Sequence, residues 1–183
     1  MIDPTARIHE TAVVEHGATI GARTAVWHHC HVRDGAVVGS DCVLGKNVFV
    51  DTRARTGDRC KIQNNVSVYQ GVVLGDDVFV GPSATFTNDL VPRAFHTDWT
   101  ITPTTVADGA SIGANATVVC GVTIGRYAMV AAGATVTRDV DEHQLVAGTP
   151  ARHHAWVCRC GAVVSRDVDR PDDLRCATCS NAD

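Results

Sequence analysis

Aromatic residues are scarce in this chain of 183 residues. Phe, Trp and Tyr together make up 5% of the chain, although 45% of its residues are hydrophobic. This composition excludes a wide core built around large rings and fits a narrow core of Val, Ile and Ala. The sequence has no apolar run long enough to span a bilayer and no signal peptide, so we expect no membrane partner.

An excess of positive charge is also missing, because the formal net charge is −4. This balance disfavours a nucleic-acid partner. Of the eight cysteines, Cys30, Cys42 and Cys60 are expected to act as compact buried hydrophobes, and four others cluster near the C-terminus. Free cysteines of this kind are typical of a reducing compartment, which predicts a cytoplasmic protein, with disulfides as the alternative.

A six-residue repeat dominates the sequence. Every sixth residue from Ile8 is aliphatic apart from Thr56, and the residue four positions later is nearly always small. Neither an α-helix nor a simple alternating strand has a period of six. The repeat positions are Ile8, Val14, Ile20, Val26, Val32, Val38, Leu44, Val50, Thr56, Ile62, Val68, Leu74, Val80, Phe86, Val106, Ile112, Val118, Ile124, Val130 and Val136.

Each repeat can supply a short strand and a tight turn, and three repeats can make one triangular coil. Stacked coils would align the aliphatic positions in one interior column. Twenty repeats give six to seven coils, about 30 Å tall at about 4.8 Å per coil. The sequence therefore predicts an all-β parallel β-helix over residues 1–140, a connector at 141–157 and a small tail at 158–183.

The repeat is interrupted once. Phe86 and Val106 are twenty residues apart, which is three repeats plus two residues, so a loop over residues 87–105 is expected to leave the prism. Pro92 and Pro103 discourage regular strand pairing there. A projecting loop can form a site that flat solenoid faces cannot. The alternative is a surface insertion without chemistry.

Several segments carry a family resemblance. The repeat, the loop and residues 147–152 together resemble hexapeptide acyltransferases, which implies a left-handed parallel β-helix and a homotrimer. Residues 27–32, 61–69 and 80–93 are similar to 3-amino-sugar-nucleotide N-acetyltransferases. The resemblance implies acetyl-CoA as co-substrate and the 3-amino group of a UDP-sugar, a uronate, as acceptor. A dTDP-3-amino-3,6-dideoxyhexose is the alternative substrate, and hydroxyl O-acetylation is the serious rival reaction.

The resemblance places the asparagine of a Thr-Asn-Asp segment at the reacting amine, and Asn88 is its counterpart here. An amide is no base near neutral pH, so Asn88 is expected to orient the amine by accepting its hydrogen bond. Asp89 is a second catalytic candidate, as a proton acceptor or as a cap of the loop turn. His96 lies beyond the matched segment and is a weaker candidate base.

Binding residues are predicted in two groups. Small residues of the later coils could let the pantetheine arm lie against the backbone, and nearby arginines could bind the phosphates of CoA. The cofactor group is Gly113, Ala114, Ala131, Ala132, Arg138 and Arg152. Arg93 could pair with a sugar carboxylate or phosphate, and one of His28 and His31 is expected to face a neighbouring subunit or a base. The substrate group is Gln63, Asn64, Tyr69, Arg93, His28 and His31.

The C-terminal cysteines form two pairs, Cys158 with Cys160 and Cys176 with Cys179. Two pairs at this separation suit one tetrahedral structural Zn(II) in a ribbon, although one spacer residue in the first pair is fewer than usual. The alternatives are a redox-sensitive tail and incidental cysteines. Acidic residues between the pairs disfavour nucleic acid.

Two other functions fit poorly. A γ-type carbonic anhydrase would use a pair of histidines five positions apart, and no two histidines of this chain have that spacing. A purely structural β-helix gives no reason for the Asn88 loop or the 148–152 segment.

Overall fold

The computed structural model describes residues 1–180, so the last three residues of the predicted tail lie outside the described chain. Nearly all regular structure is short strands. They are β1 (Arg7–Ile8), β2 (Val13–Val14), β3 (Thr19–Ile20), β4 (Ala25–Val26), β5 (His31–Val32), β6 (Val37–Val38), β7 (Val43–Leu44), β8 (Phe49–Val50), β9 (Arg55–Thr56), β10 (Lys61–Ile62), β11 (Ser67–Val68), β12 (Val72–Leu74), β13 (Phe79–Val80), β14 (Thr85–Phe86), β15 (Thr104–Val106), β16 (Ser111–Ile112), β17 (Thr117–Val118), β18 (Thr123–Ile124), β19 (Met129–Val130), β20 (Thr135–Val136), β21 (Gln144–Ala147), β22 (Arg152–Val157) and β23 (Val163–Ser165).

Every third strand pairs in parallel, which makes three sheets around one prism. Face 1 contains β1, β4, β7, β10, β13, β16 and β19, face 2 runs from β2 to β20, and face 3 runs from β3 to β18. Partners in adjacent coils are 18 residues apart, as for Arg7 and Ala25. Twenty strands at three per coil make six coils and two-thirds of a seventh. The predicted all-β parallel β-helix is confirmed.

The inserted loop changes the spacing of partners only where the chain passes it. Val72 of β12 pairs with Thr104 of β15, 32 residues later, so fourteen residues have been added to the usual 18. The strand after Phe86 is therefore the next one in the coil, and the loop replaces a single turn. The sequence count of three repeats plus two had suggested a longer departure from the coil.

The repeat positions form the core. From Ile20 onward all are buried, including Thr56, whose hydroxyl has no hydrogen-bond partner within the described chain. The small positions are buried too. Cys30, Cys42 and Cys60 are at most 1% exposed, as predicted, and the thiol of Cys60 donates to the carbonyl of Gly75 at 3.1 Å. Small residues occur there because the chain bends inward and neighbouring coils touch.

The frequent Gly-Asp sequence of the repeat has a structural cause on face 3. The Asp76 carboxylate accepts a hydrogen bond from the Asp58 N–H at 2.9 Å, and Asp108 accepts one from the Asp76 N–H at 3.0 Å. A Cβ on Gly57 or Gly75 would collide with that carboxylate in the next coil. Each aspartate thus satisfies a turn N–H that strand pairing leaves free.

The last coil is covered by an end cap, which we define as β21, β22 and β23. β21 pairs in parallel with β19, and β22 and β23 follow as antiparallel strands. The cap is followed by the short helix α1 (Ala177–Ser180). In the described part of the chain, no helix has the length and apolar character that a membrane span requires.

Candidate functional site

Two corners of the prism carry most of the predicted site residues. The first corner joins face 1 to face 2 and contains residues 27–28, 63–64, 113–114 and 131–132 in successive coils. The second corner joins face 2 to face 3 and contains residues 69–70, 87–88, 119–120 and 137–138. The predicted substrate residues are therefore divided between two edges of one chain.

The inserted loop leaves and rejoins the prism at the second corner. The Asn88 side chain donates through Nδ2 to the carbonyl oxygen of Gln70 in the preceding coil at 3.3 Å. The Asn88 carbonyl accepts a hydrogen bond from the Thr102 N–H at 2.9 Å, which closes the base of the loop. Because Nδ2 faces the backbone, Oδ1 is the end of the amide that can accept a hydrogen bond from a ligand.

A cavity of about 420 Å³ lies between the base of the loop and its arm, and its lining includes Asn88, Asp89, Arg93, His96 and Trp99. The structure thus brings together both predicted catalytic residues, one predicted substrate residue and the weaker candidate base. Oδ1 of Asp89 accepts the N–H of Val91 at 2.8 Å, so Asp89 caps the loop turn.

A second cavity of about 310 Å³ lies at the first corner, where Trp27, His28, Gln63 and Asn64 line it. His28 stacks on His9 with ring centroids 3.5 Å apart, and Trp27 is 45% exposed. Oδ1 of Asn64 accepts the Lys46 N–H at 2.9 Å, so only the amide nitrogen of Asn64 is free for a ligand.

Two predicted substrate residues lie outside both cavities. His31 is on face 2, where its Nε2 is 2.8 Å from Oε1 of Glu15. The ring of Phe49 separates it from Tyr69, with centroids 5.6 Å from His31 and 6.0 Å from Tyr69. The N–H of Asp34 and the His31 ring, both hydrogen-bonded to Glu15, lower the pKa of that carboxyl.

The predicted cofactor residues also separate into two groups. Gly113 and Ala114 lie in the coil adjacent to Ala131 and Ala132, and a Cβ on Gly113 would collide with the backbone of Ala132. These four residues make a smooth wall along the first corner. Their predicted arginine partners, Arg138 and Arg152, line a different cavity of about 190 Å³ beside the end cap.

The four C-terminal cysteines converge, as the spacing predicted. Their sulfur atoms all lie within 4.8 Å of one another. The backbone N–H groups of Cys160 and Cys176 point at the Cys158 sulfur and lower the pKa of that thiol to about 6.

Sequence reasoning missed two features of these sites. Gln70 holds Asn88 through a main-chain carbonyl, for which side-chain identity gives no signal. Trp27 and His9 stack with His28, and Trp27 also borders a cavity of about 470 Å³ on the first coils of face 1. An 18-residue count places His9 and Trp27 at the same corner and could have found this pair.

The comparisons with known proteins agree with this architecture. A family model described as the GMPPB C-terminal domain matches residues 1–94, just over half of the chain, and one described as bacterial transferase hexapeptide (six repeats) matches residues 103–138. Three parallel faces with a six-residue repeat define a hexapeptide β-helix. A solved hexapeptide-repeat-containing acetyltransferase from Vibrio cholerae is 30% identical, with 67% of this chain and 73% of that chain covered and a TM-score of 0.57. The chain belongs to the hexapeptide-repeat acyltransferase family.

Two further relatives are more distant. Acyl-[acyl-carrier-protein]–UDP-N-acetylglucosamine O-acyltransferase of Brucella ovis is 36% identical over 70 residues, which are 38% of this chain and 23% of that enzyme. The match thus spans less than a quarter of the curated relative. Perosamine N-acetyltransferase from Caulobacter crescentus, solved with CoA and GDP-perosamine, is 24% identical, with 81% and 56% of the two chains covered and a TM-score of 0.56. That likeness supports the shared fold.

Proposed function

We propose that the protein is an acetyl-CoA-dependent N-acetyltransferase that acetylates the 3-amino group of a nucleotide-linked amino sugar. One observation carries this proposal. Asn88, fixed by the Gln70 carbonyl, lines the loop cavity together with Asp89 and Arg93. The cavity therefore combines a rigid hydrogen-bond acceptor with a carboxylate and a guanidinium that can bind an anion.

The chemistry asks little of a protein base. The neutral amine attacks the thioester carbonyl, an N–C bond forms, the C–S bond breaks, and the departing CoA thiolate takes up the proton that the nitrogen loses. A sugar amine beside electron-withdrawing oxygens is neutral more readily than lysine. Orientation of the reactants can supply about 7–11 kcal/mol, and one donor to the oxyanion on the order of 3 kcal/mol. Oδ1 of Asn88 would accept a hydrogen bond from the amine and fix its direction of attack.

Asp89 has a defined place in this scheme. One carboxylate oxygen caps the turn at Val91. The other oxygen is the proposed proton acceptor in the cavity, directly or through water. Arg93 would pair with a sugar carboxylate or a phosphate through its planar guanidinium, which favours a uronate. A dTDP-linked 3-amino-3,6-dideoxyhexose, without a carboxylate, is the alternative acceptor.

The nucleotide and CoA are assigned to the first corner. Trp27 presents an exposed ring beside His28, Gln63 and Asn64, where a base could stack and hydrogen bond. The smooth wall at 113–114 and 131–132 continues along the same corner and would take the pantetheine arm. Arg138 and Arg152 would bind the CoA phosphates beyond that wall.

A homotrimer follows from the division of the site between two corners. Asn88 and Asp89 lie at the second corner of a chain, whereas Gln63 and Asn64 lie at its first corner. Side by side, the second corner of one copy and the first corner of another would complete a cleft. Closed threefold symmetry would make three equal clefts.

An O-acetyltransferase is the second candidate, because His96 lines the same cavity as Asn88. A hydroxyl acceptor is far less acidic than an ammonium group and needs a general base such as His96. The two functions are separated by assaying thiol release from acetyl-CoA against UDP- and dTDP-linked 3-amino sugars and their 3-hydroxy counterparts. The N-acetyltransferase proposal expects turnover with an amine and a changed rate in Asn88→Ala. Loss of activity only in His96→Gln would support O-acetylation instead.

A further inference from the structure

The cysteine cluster at the end cap has the dimensions of a metal site. We define the cluster as Cys158, Cys160, Cys176 and Cys179, whose sulfur atoms lie within 4.8 Å of one another. A tetrahedral zinc with Zn–S bonds of about 2.3 Å places its sulfurs about 3.8 Å apart. The sulfurs of Cys160 and Cys176 are 3.5 Å apart, well beyond the disulfide bond length of about 2.05 Å.

Both cysteine pairs are held in turns that present their sulfurs to a common centre. In the first, the Gly161 N–H donates to the Cys158 carbonyl at 2.8 Å, and Gly161 adopts a φ of 88° that favours glycine. In the second, the Cys179 N–H points at the Cys176 sulfur at 3.5 Å. An N–H directed at sulfur stabilises a thiolate, which is the form that binds metal.

The cluster joins two parts of the chain that are distant in sequence. Cys158 directly follows β22 and is 1% exposed, whereas Cys176 and Cys179 lie at helix α1. Between the pairs, the Asp167 carbonyl accepts hydrogen bonds from Trp156 Nε1 at 3.1 Å and His153 Nε2 at 2.9 Å. A metal at the cluster would close the segment between the pairs against the end cap.

We propose that the cluster binds one structural zinc ion that fastens residues 166–180 to the end cap. Four thiolates complete a tetrahedral shell and leave no open position for water or substrate, so the ion has a structural role. β22 begins at Arg152, which shares a cavity with Arg138. The zinc therefore stabilises the strand that carries one of the proposed CoA-phosphate ligands, but the site itself does not depend on the acetyl-transfer proposal.

The test is metal analysis of the full-length protein, produced without a histidine tag and dialysed against a mild chelator. We expect about one zinc per chain, and near-complete loss of zinc in Cys160→Ser and Cys179→Ser. Neither cysteine is buried in the core, so these variants should fold. Cys120→Ser removes a thiol outside the cluster and should retain the zinc of the parent protein.

Limited trypsin digestion gives a readout independent of metal content. Cleavage after Arg166 or Arg175 should accelerate at least several-fold in Cys160→Ser and in protein stripped by a strong chelator, and re-addition of zinc should protect only the parent. Zinc in the parent no higher than in Cys160→Ser would overturn the proposal. So would stoichiometric iron in place of zinc, or a mass showing disulfides between the four cysteines.

Discussion

The second corner of the prism turns in two ways in neighbouring coils. Three residues, 69–71, connect β11 to β12, whereas 17 residues, 87–103, connect β14 to β15. The flanking strands are paired in both coils, and Phe86 and Val106 keep their buried positions. The insertion therefore leaves the core unchanged and adds only surface.

The difference separates stability from function. In the short turn, the Gln70 backbone carbonyl is the part that faces Asn88 in the next coil. In the long turn, the added residues form the wall of a cavity that contains Asn88, Asp89, Arg93 and His96. The regular coils provide a rigid support, and the loop supplies the side chains that could do chemistry.

The largest expected effect is on the regular coils. Ile62→Ala removes a fully buried side chain from the interior column and should lower the free energy of unfolding by about 2–5 kcal/mol. Lys61→Ala, at the adjacent exposed position, should change it by less than about 0.5 kcal/mol. Urea unfolding followed by circular dichroism measures both. Equal losses in the two variants would mean that the six-residue repeat does not define the core.

At the loop, Asn88→Ala should lower kcat with an amino-sugar acceptor on the order of 100-fold, because an oriented hydrogen bond to the reacting group is lost. Its thermal midpoint should stay close to that of the parent, since the half-buried side chain makes one hydrogen bond. Tht matched control is Thr52→Ala, at the same corner in a regular coil. An unchanged kcat in Asn88→Ala would separate the loop from catalysis.

The smooth wall at the first corner allows a test of the cofactor position. Ala132→Leu adds bulk where the pantetheine arm is proposed to lie, and should raise the KM for acetyl-CoA about tenfold, equivalent to 1.4 kcal/mol. The KM for the sugar nucleotide should change little. Steady-state kinetics with each substrate varied in turn tests this. A higher KM for the sugar alone would place the acceptor, and not CoA, against this wall.

The smallest effect concerns the ladders on the surface of the regular coils. Hydrogen bonds from the Arg23 guanidinium, 2.6 Å from Asp41, lower the pKa of the Asp41 carboxyl. The pair therefore stabilises the fold above the ordinary aspartate pKa, and this contribution disappears as pH falls through the lowered value. Arg23→Gln should slightly lower the thermal midpoint at pH 7 and not at strongly acidic pH. Arg55→Gln serves as the exposed control, and a deficit in Arg23→Gln that persists in acid would contradict the pairing.

Much of the fold could be predicted because the repeat acts on every coil in the same way. Each aliphatic position fills one interior column, so Cys42 and Cys60 could be assigned to the core from spacing alone. The same regularity hid the arrangement of the site. A count in sixes does not separate the three corners, and the sequence therefore could not show that Asn64 and Asn88 lie on different edges.

The loop and the tail were predictable to different degrees. Cysteine pairs have restrictive chemistry, and Cys158 and Cys176 meet as their spacing indicated. The loop conformation depends on individual contacts such as the Thr102 N–H on the Asn88 carbonyl, which no periodicity encodes. For this reason Asp89 was expected in two roles, and its contact with Val91 became visible only in the structure.

The most direct test of the central claim is the initial rate of thiol release from acetyl-CoA with the unmodified protein. The acceptors are a UDP-linked 3-amino-uronate and the same sugar with a 3-hydroxyl group. The proposed function predicts release with the amine and none above background with the hydroxyl. Turnover of the hydroxyl sugar, with no turnover of any UDP- or dTDP-linked 3-amino sugar, would contradict it.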